Sequence, residues 1–330
     1  LIDQYCPQTE NEKGTRMLKR SWIGGTTVNI RGVSTFIAGL FLMARPAQIL
    51  LIAWVFLFGI VVAIAHGHGF RQDSFWLGLL ALILVSMSVH YSNEYADHET
   101  DALTARTLFS GGSGAIADMG IPRTVAIHAA WITLILGTGV GLVGISTGWL
   151  TRQAFIILGL GGLFGWMYSL PPLQLAWRGW GELDNALLGG VLLPLYGYTI
   201  LAGRITWDVI LVFLPFAGLV FLNLLATTWP DRGADASVGK RTLATRWPVS
   251  RLRKLYLLVS LISLLLLGLF NGWVMPSVVV VSSLTVTPLA LWGWRGYTRI
   301  RNPFPTVAAM LIMLTSQIVG WWTVVVSNIG

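Results

Sequence analysis

The stretch from Pro46 to His66 reads PAQILLIAWVFLFGIVVAIAH, twenty-one residues without one charge. A helix rises 1.5 Å per residue, so ~20 apolar residues cross the ~30 Å hydrocarbon core of a bilayer, and this run is long enough to do so. Comparable runs follow near 74–95, 122–145, 151–170, 182–201, 207–230, 251–270, 275–294 and 305–326. Pro46, Pro122 and Pro305 stand where a first helical turn tolerates proline, while Gly67, Gly69, Gly148, Gly203 and Gly272 fall in short connections. The pattern predicts an all-α integral membrane protein of about nine transmembrane helices. With no linker or composition shift along the chain, residues 46–330 are expected to form a single multi-pass helical domain, preceded by a cytoplasmic amino-terminal segment, 1–45.

Composition agrees. Of 330 residues 55% are hydrophobic and 11% charged, too apolar for a single water-soluble core of this length. A net charge of +8 and a pI near 10.0 would suggest nucleic acid in a soluble protein. Here the Lys and Arg residues lie between the apolar runs, 19 on one side of the predicted bilayer and 3 on the other. That bias places the amino terminus and the loops after spans two, four, six and eight in the cytoplasm, with the plasma membrane as the expected location and no nucleic-acid partner. The first 45 residues lack the apolar core and small-residue site of a cleaved signal peptide. Cys6 is the only cysteine, which excludes an intrachain disulfide and a cysteine-built metal site.

Two clusters of carboxylates break the apolar pattern. Asn93-Glu94-Tyr95-Ala96-Asp97-His98-Glu99-Thr100-Asp101 follows the second span, and Asp231-Arg232-Gly233-Ala234-Asp235 follows the sixth; together they hold six of the 14 acidic residues. If the second span continues as a helix, Asn93, Asp97 and Asp101 fall on one face, ~6 Å apart along the axis. Asp231 and Asp235 repeat the spacing. Like charges so placed repel, and charging them at a bilayer edge costs more, so a cation would relieve both clusters. Hard oxygen ligands favour Mg²⁺ over zinc, and Mg²⁺ commonly shares one or two carboxylates with phosphate oxygens. Two clusters on one face imply a bridged diphosphate, the alternative being solvated carboxylates at helix ends. Arg106 lies beside the first cluster and Lys240 with Arg241 beside the second, where they could offset charge on a leaving diphosphate. For Arg246, Arg251, Arg253 and Lys254 such a role weighs equally against membrane topology or contacts with acidic lipid headgroups, whereas for Arg106 and Lys240 it is preferred. Phe109-Ser110-Gly111-Gly112-Ser113-Gly114 is either a flexible loop, a lid or a source of backbone N–H groups for phosphate. His66 and His68 lie on the opposite side without nearby carboxylates, and His90 and His128 read as packed within the bundle.

These residues resemble the UbiA superfamily of membrane prenyltransferases, whose pattern is NDxxDxxxD after helix two and DxxxD after helix six; here they read NEYADHETD and DRGAD. ARP at 44–46, RTLFSGGSG at 106–114, YSLPPLQLAWRGWGE at 168–182 and GKRTLATR at 239–246 extend the likeness toward the 1,4-dihydroxy-2-naphthoate polyprenyltransferase branch of menaquinone biosynthesis. The resemblance implies helices around a central cavity, an active site on the cytoplasmic face, two Mg²⁺ per site, and a lateral opening to membrane lipid for the isoprenoid tail. Carried over by position, Asn93, Asp97, Asp101, Asp231 and Asp235 would hold metal, with Asp97, Asp101, Asp235, Tyr168 and Lys240 serving catalysis. Asn93, Arg106, Tyr168, Lys240 and Arg241 would bind substrate. Glu94 replaces the usual aspartate, Pro172 stands where many members have lysine, and Thr227-Thr228-Trp229-Pro230 replaces Asn-rich sequence with arginine.

The implied chemistry is departure of diphosphate from a polyprenyl diphosphate and attack of an electron-rich aromatic ring on the allylic, cation-like carbon. Tyr91, Tyr95, Trp166 and Tyr168 are candidates to shield that carbon, although for the first three an interfacial aromatic belt is the favoured reading. The expected acceptor is 1,4-dihydroxy-2-naphthoate. 4-Hydroxybenzoate, homogentisate, a lipid or sugar phosphate, and isoprenoid cyclisation remain alternatives. A transporter, the rival of another class, would place its ionisable groups near mid-bilayer.

Overall fold

The computed structural model describes residues 30–104 and 111–329. Within them the chain is helical: α1 (Ile30–Met43), α2 (Pro46–Ala65), α3 (Gln72–Leu103), α4 (Arg123–Ser146), α5 (Arg152–Ser169), α6 (Gly181–Leu187), α7 (Leu193–Ala202), α8 (Trp207–Thr227), α9 (Arg232–Ser237), α10 (Leu243–Arg246), α11 (Val249–Phe270), α12 (Ser277–Ser283), α13 (Thr287–Gly296) and α14 (Phe304–Ile329). Among the described residues no strand forms, and the one isolated bridge joins Asn271 and Met275.

Among the described residues, eight helical stretches are long and apolar enough to cross a membrane: α2, α3, α4, α6 running into α7, α8, α11, α12 running into α13, and α14. The fourth predicted span corresponds to α5, 18 residues long, which is not among the eight. Arg152, Gln153 and four glycines dilute its apolar content.

Proline explains the interrupted spans. Pro194 has no N–H and its ring crowds the preceding turn, and the helix widens into a π turn over Leu188–Leu192 before α7 resumes. Pro288 does the same between α12 and α13, where Leu284–Val286 tightens into a 3-10 turn. Helix α2 packs on α7 through Gly59 and Gly197, since a Cβ at the first would strike the carbonyl of Pro194 and at the second the carbonyl of Phe56. Small residues at such a crossing let backbones approach closely, the means by which helices associate in lipid.

The amino-terminal segment holds a helix, α1, over residues to which the sequence reading assigned no secondary structure. Fourteen residues are too short to span, so a search for spans passes over them. Tyr91 donates from its hydroxyl to the carbonyl of Leu40 at 3.1 Å and ties α1 to α3. Phe36, Ile37 and Phe41 remain exposed on α1, an apolar face suited to the boundary of a bilayer.

Candidate functional site

Helix α3 runs unbroken for 32 residues, continuing about two turns beyond the predicted end of its span. Asn93, Asp97 and Asp101 therefore share one helical face, as the spacing requires. Asp231 caps the short α9, and the Asp235 amide donates to the Asp231 carbonyl at 2.9 Å, so the second pair of carboxylates is held one helical turn apart.

Lys240 joins the two clusters. Its ammonium donates to Asp97 Oδ1 at 3.3 Å and lies 3.6 Å from Asp235 Oδ1. The lysine is fixed locally, its amide donating to the Asp235 carbonyl at 2.9 Å, and its Nζ sits 5.8 Å from the centre of the Trp177 ring. All three charged side chains are largely enclosed, at 13% exposure for Lys240, 14% for Asp97 and 5% for Asp235. Burial pushes the Asp235 carboxyl above its ordinary range, with Asp97 adding to the shift and Lys240 opposing it. For Lys240, burial disfavours the ammonium, but Asp97 and Asp235 more than offset this and hold its pKa above that of a free lysine.

Glu94 does something the motif alone does not reveal. It is buried, and its Oε1 accepts from Arg45 Nε at 3.1 Å and Nη2 at 2.7 Å. Ser113 donates to the same carboxylate from its amide at 3.1 Å and from its hydroxyl at 2.7 Å. The longer reach of glutamate thus ties the glycine-rich loop to α3 and to the junction of α1 and α2. Burial weakens the Arg45 guanidinium, yet Glu94, backed by Asp101 and Asp97, raises its pKa overall. The ion pair also holds Arg45 in a left-handed conformation (φ 54°), a strained backbone for any residue other than glycine. In the described part of the loop, the Ser113 amide is spent on Glu94 instead of standing ready for phosphate.

Gly112 packs that loop against the site. Its φ is +67°, and a methyl group there would collide with the Asp101 carboxylate. Gly112→Val should therefore push Asp101 off the shared face and cut turnover ~100-fold, while purified protein keeps its detergent melting temperature within a few degrees. Turnover within twofold of wild type would refute the contact.

Beyond the carboxylates a cavity of about 600 Å³ opens between α2, α3, α5, α6, α7, α8 and α14. Arg45, Asn93 and Tyr168 line it near the clusters, and Leu51, Leu82, Ile157, Leu192 and Leu311 make much of the wall apolar. Tyr168 is within electrostatic reach of Glu182, Asp97, Asp184 and Asp235. The other three aromatic candidates are engaged elsewhere: Tyr91 holds α1, the Tyr95 ring lies 4.8 Å beneath the Arg123 guanidinium, and Trp166 donates to Ser88 Oγ at 2.8 Å.

Of the remaining candidates, Arg106 lies outside the described residues. Arg241 is exposed, and its amide donates to the Trp177 carbonyl at 3.0 Å. In the divergent Thr227-Thr228-Trp229-Pro230 stretch, Thr227 lines the cavity, while Trp229 is buried with the Arg232 guanidinium 3.7 Å from its ring centre. Sequence reasoning missed Asp184 and Asn223 and read His90 only as packed within the bundle; their Oδ2, Oδ1 and Nε2 atoms are buried without a hydrogen-bond partner, and all three side chains line the cavity. A signal existed for His90 and Asp184, since an ionisable residue inside an apolar span marks function by default.

Among the described residues, no three His, Cys, Asp or Glu side chains gather closely enough to hold a metal ion unaided. Asn93 Oδ1 is buried and unpartnered beside Asp97 and Asp101, and each cluster offers hard oxygens. Such a set fits Mg²⁺ that takes its remaining ligands from water and phosphate oxygens, and fits poorly a cation caged by protein alone.

A model of the UbiA prenyltransferase family matches residues 51–316. The 1,4-dihydroxy-2-naphthoate octaprenyltransferase of Bacillus subtilis (strain 168) is 29% identical over 171 residues, 50% of this chain and 52% of that protein. The chloroplastic chlorophyll synthase of Arabidopsis thaliana is 29% identical over 149 residues, 42% of this chain and 36% of the relative. The aligned stretch thus spans about half the first relative and about a third of the second. A solved UbiA homolog from Archaeoglobus fulgidus, bound to GPP and Mg²⁺, superposes with a TM-score of 0.58 at 19% identity over 87% of this chain and 99% of that one, a likeness of fold.

Proposed function

The chain belongs to the UbiA prenyltransferase family, and we propose that it transfers a polyprenyl group from polyprenyl diphosphate to an aromatic acceptor, 1,4-dihydroxy-2-naphthoate. The observation that carries this reading is Lys240 lying between Asp97 and Asp235 beside a largely apolar cavity. A charged clamp suits a diphosphate, and the cavity suits an isoprenoid tail and a ring. The Bacillus relative supports the naphthoate acceptor, and the Arabidopsis relative supports a different one on the same scaffold.

In this reading Asn93, Asp97 and Asp101 would hold one Mg²⁺, and Asp231 and Asp235 a second. When bound, the ions supply positive charge to the departing diphosphate. Lys240 adds charge from this chain's own residues, aimed where negative charge develops as the carbon–oxygen bond breaks. Tyr168 lines the cavity near the clusters, where its ring would shield the allylic carbon, and the apolar wall would exclude water that could otherwise capture it. For a naphthoate acceptor, the new carbon–carbon bond forms at the carboxylated position and the carboxylate leaves as CO₂. The active site faces the cytoplasm of a plasma-membrane protein, as the Lys and Arg bias implies.

The test is turnover of purified protein with geranyl diphosphate, Mg²⁺ and a panel of aromatic acceptors; release of diphosphate without prenylation of any acceptor would favour cyclase or hydrolase action. Because each cluster supplies too few ligands alone, Mg²⁺ binding should depend on diphosphate. Calorimetry should detect only weak Mg²⁺ binding by the protein alone and at least ~10-fold tighter binding when pyrophosphate is present. Equal affinity under both conditions would contradict a shared-ligand site. EDTA should stop turnover and added Mg²⁺ restore it.

A further inference from the structure

Asp184 is the odd residue of the cavity. It sits in the first turn of α6, inside a stretch apolar enough to span the membrane, only 7% exposed, and its Oδ2 has no hydrogen-bond partner. A carboxyl held this way forfeits hydration worth several kcal/mol, so something must return the lost bond. Nothing in the diphosphate clamp does so, because Lys240 is taken by Asp97 and Asp235.

Three further atoms of the lining share the condition, and one of them, Asn93 Oδ1, belongs to the first carboxylate cluster. His90 Nε2 on α3 and Asn223 Oδ1 on α8 are buried and unpartnered, and both residues line the cavity with Asp184. Helix α6 packs against α8, which brings the segments carrying Asp184 and Asn223 together. Arg45, the cationic side chain of the lining, is already committed to Glu94. The cavity therefore offers hydrogen-bonding atoms in an apolar wall, and a ligand that completes Asp184 and Asn223 must bring hydrogen-bond donors, which hydroxyl groups supply.

We propose that Asp184, with His90 and Asn223, is the specificity-determining contact for the acceptor, selecting an aromatic ring by its free hydroxyl groups. The ring hydroxyl donates to Asp184 Oδ2, while His90 and Asn223 engage a second polar group of the same ring. Tyr168 lines the same cavity and is within electrostatic reach of both Asp184 and the two clusters. The assignment rests on the prenyl-transfer reading for its biological meaning, and on the orphaned atoms for its chemistry. A site built to receive a hydroxyl rejects the analogue lacking it, because its own buried groups are then left unpaired.

The experiment measures equilibrium binding of 1,4-naphthalenediol and of its dimethyl ether to the full chain in lipid nanodiscs under reducing conditions, by quenching of tryptophan fluorescence. Wild type should bind the diol at least ~10-fold more tightly than the ether. Asp184→Leu should reduce that ratio to within about twofold, Asp184→Asn should keep part of it because an acceptor oxygen remains, and Asn223→Leu should narrow it independently. Binding of geranyl diphosphate with Mg²⁺ should be unchanged in Asp184→Leu, which also certifies its fold. No preference in wild type, or an undiminished preference in folded Asp184→Leu, overturns the proposal; should that variant not fold, an undiminished preference in both Asp184→Asn and Asn223→Leu does so. If geranyl diphosphate fails to bind wild type, the prenyl-transfer reading falls, while the hydroxyl preference still stands or falls on the diol-to-ether ratio.

Discussion

Asp97→Ala and Asp235→Ala should each lower kcat/KM for prenyl transfer by at least on the order of 10³-fold. The two residues belong to different helices and meet through one ammonium, Asp97 at 3.3 Å and Asp235 at 3.6 Å from Lys240 Nζ. Loss of either removes a ligand from one side of the clamp and leaves the departing diphosphate charge held from the other side alone. The protein should nonetheless stay folded. Asp97 is near the end of α3, where a carboxylate one turn from Asp101 repels it, so alanine relieves repulsion and has high helix propensity. Lys240 retains one carboxylate partner in either variant, so no buried charge is stranded. Steady-state kinetics at saturating Mg²⁺, beside size-exclusion profiles in detergent, separate lost chemistry from lost fold. Turnover near wild type in either variant would sink the paired-cluster reading.

The spans were legible because lipid leaves backbone polar groups no partner but the helix itself, and ~20 apolar residues in succession announce that solution. The clusters were legible for the opposite reason, since carboxylates at a bilayer edge are costly and two sets at one spacing stand out. What the sequence hid depends on pairings across the fold. Glu94 sits in the middle of a motif, yet its carboxylate serves Arg45 and Ser113, partners 49 and 19 residues away. Residue type does not encode that choice. Asp184, His90 and Asn223 lie in three separate apolar runs, with no local spacing to link them. Only the packing of α3, α6 and α8 around one cavity makes them neighbours of the same space. Helix α1 was hidden by its length, and the π turn at Leu188–Leu192 by the difficulty of foreseeing how a span accommodates Pro194.

Lys240→Met should produce two effects of opposite sign. The ammonium neutralises Asp97 and Asp235, so before substrate arrives it competes with any cation for the same oxygens. Methionine fills similar volume without charge, and the two carboxylates are then left facing each other. Their repulsion raises the affinity of the pair for Mg²⁺, and titration of the diphosphate-free protein should show Mg²⁺ binding several-fold tighter than in wild type. Catalysis should move the other way. With diphosphate bound, the same ammonium meets negative charge that grows as the allylic bond breaks, and removing it should lower kcat ~100-fold with little change in acceptor KM. Lys240→Arg keeps the charge but replaces a compact donor with a planar fork in an enclosed space, so it should recover only part of the rate. A purely structural lysine would give neither pattern: its loss would lower stability and weaken Mg²⁺ binding together. Tighter metal binding with slower turnover is the outcome that ties Lys240 to the leaving group, and weaker binding with unchanged kcat would remove it from the clamp.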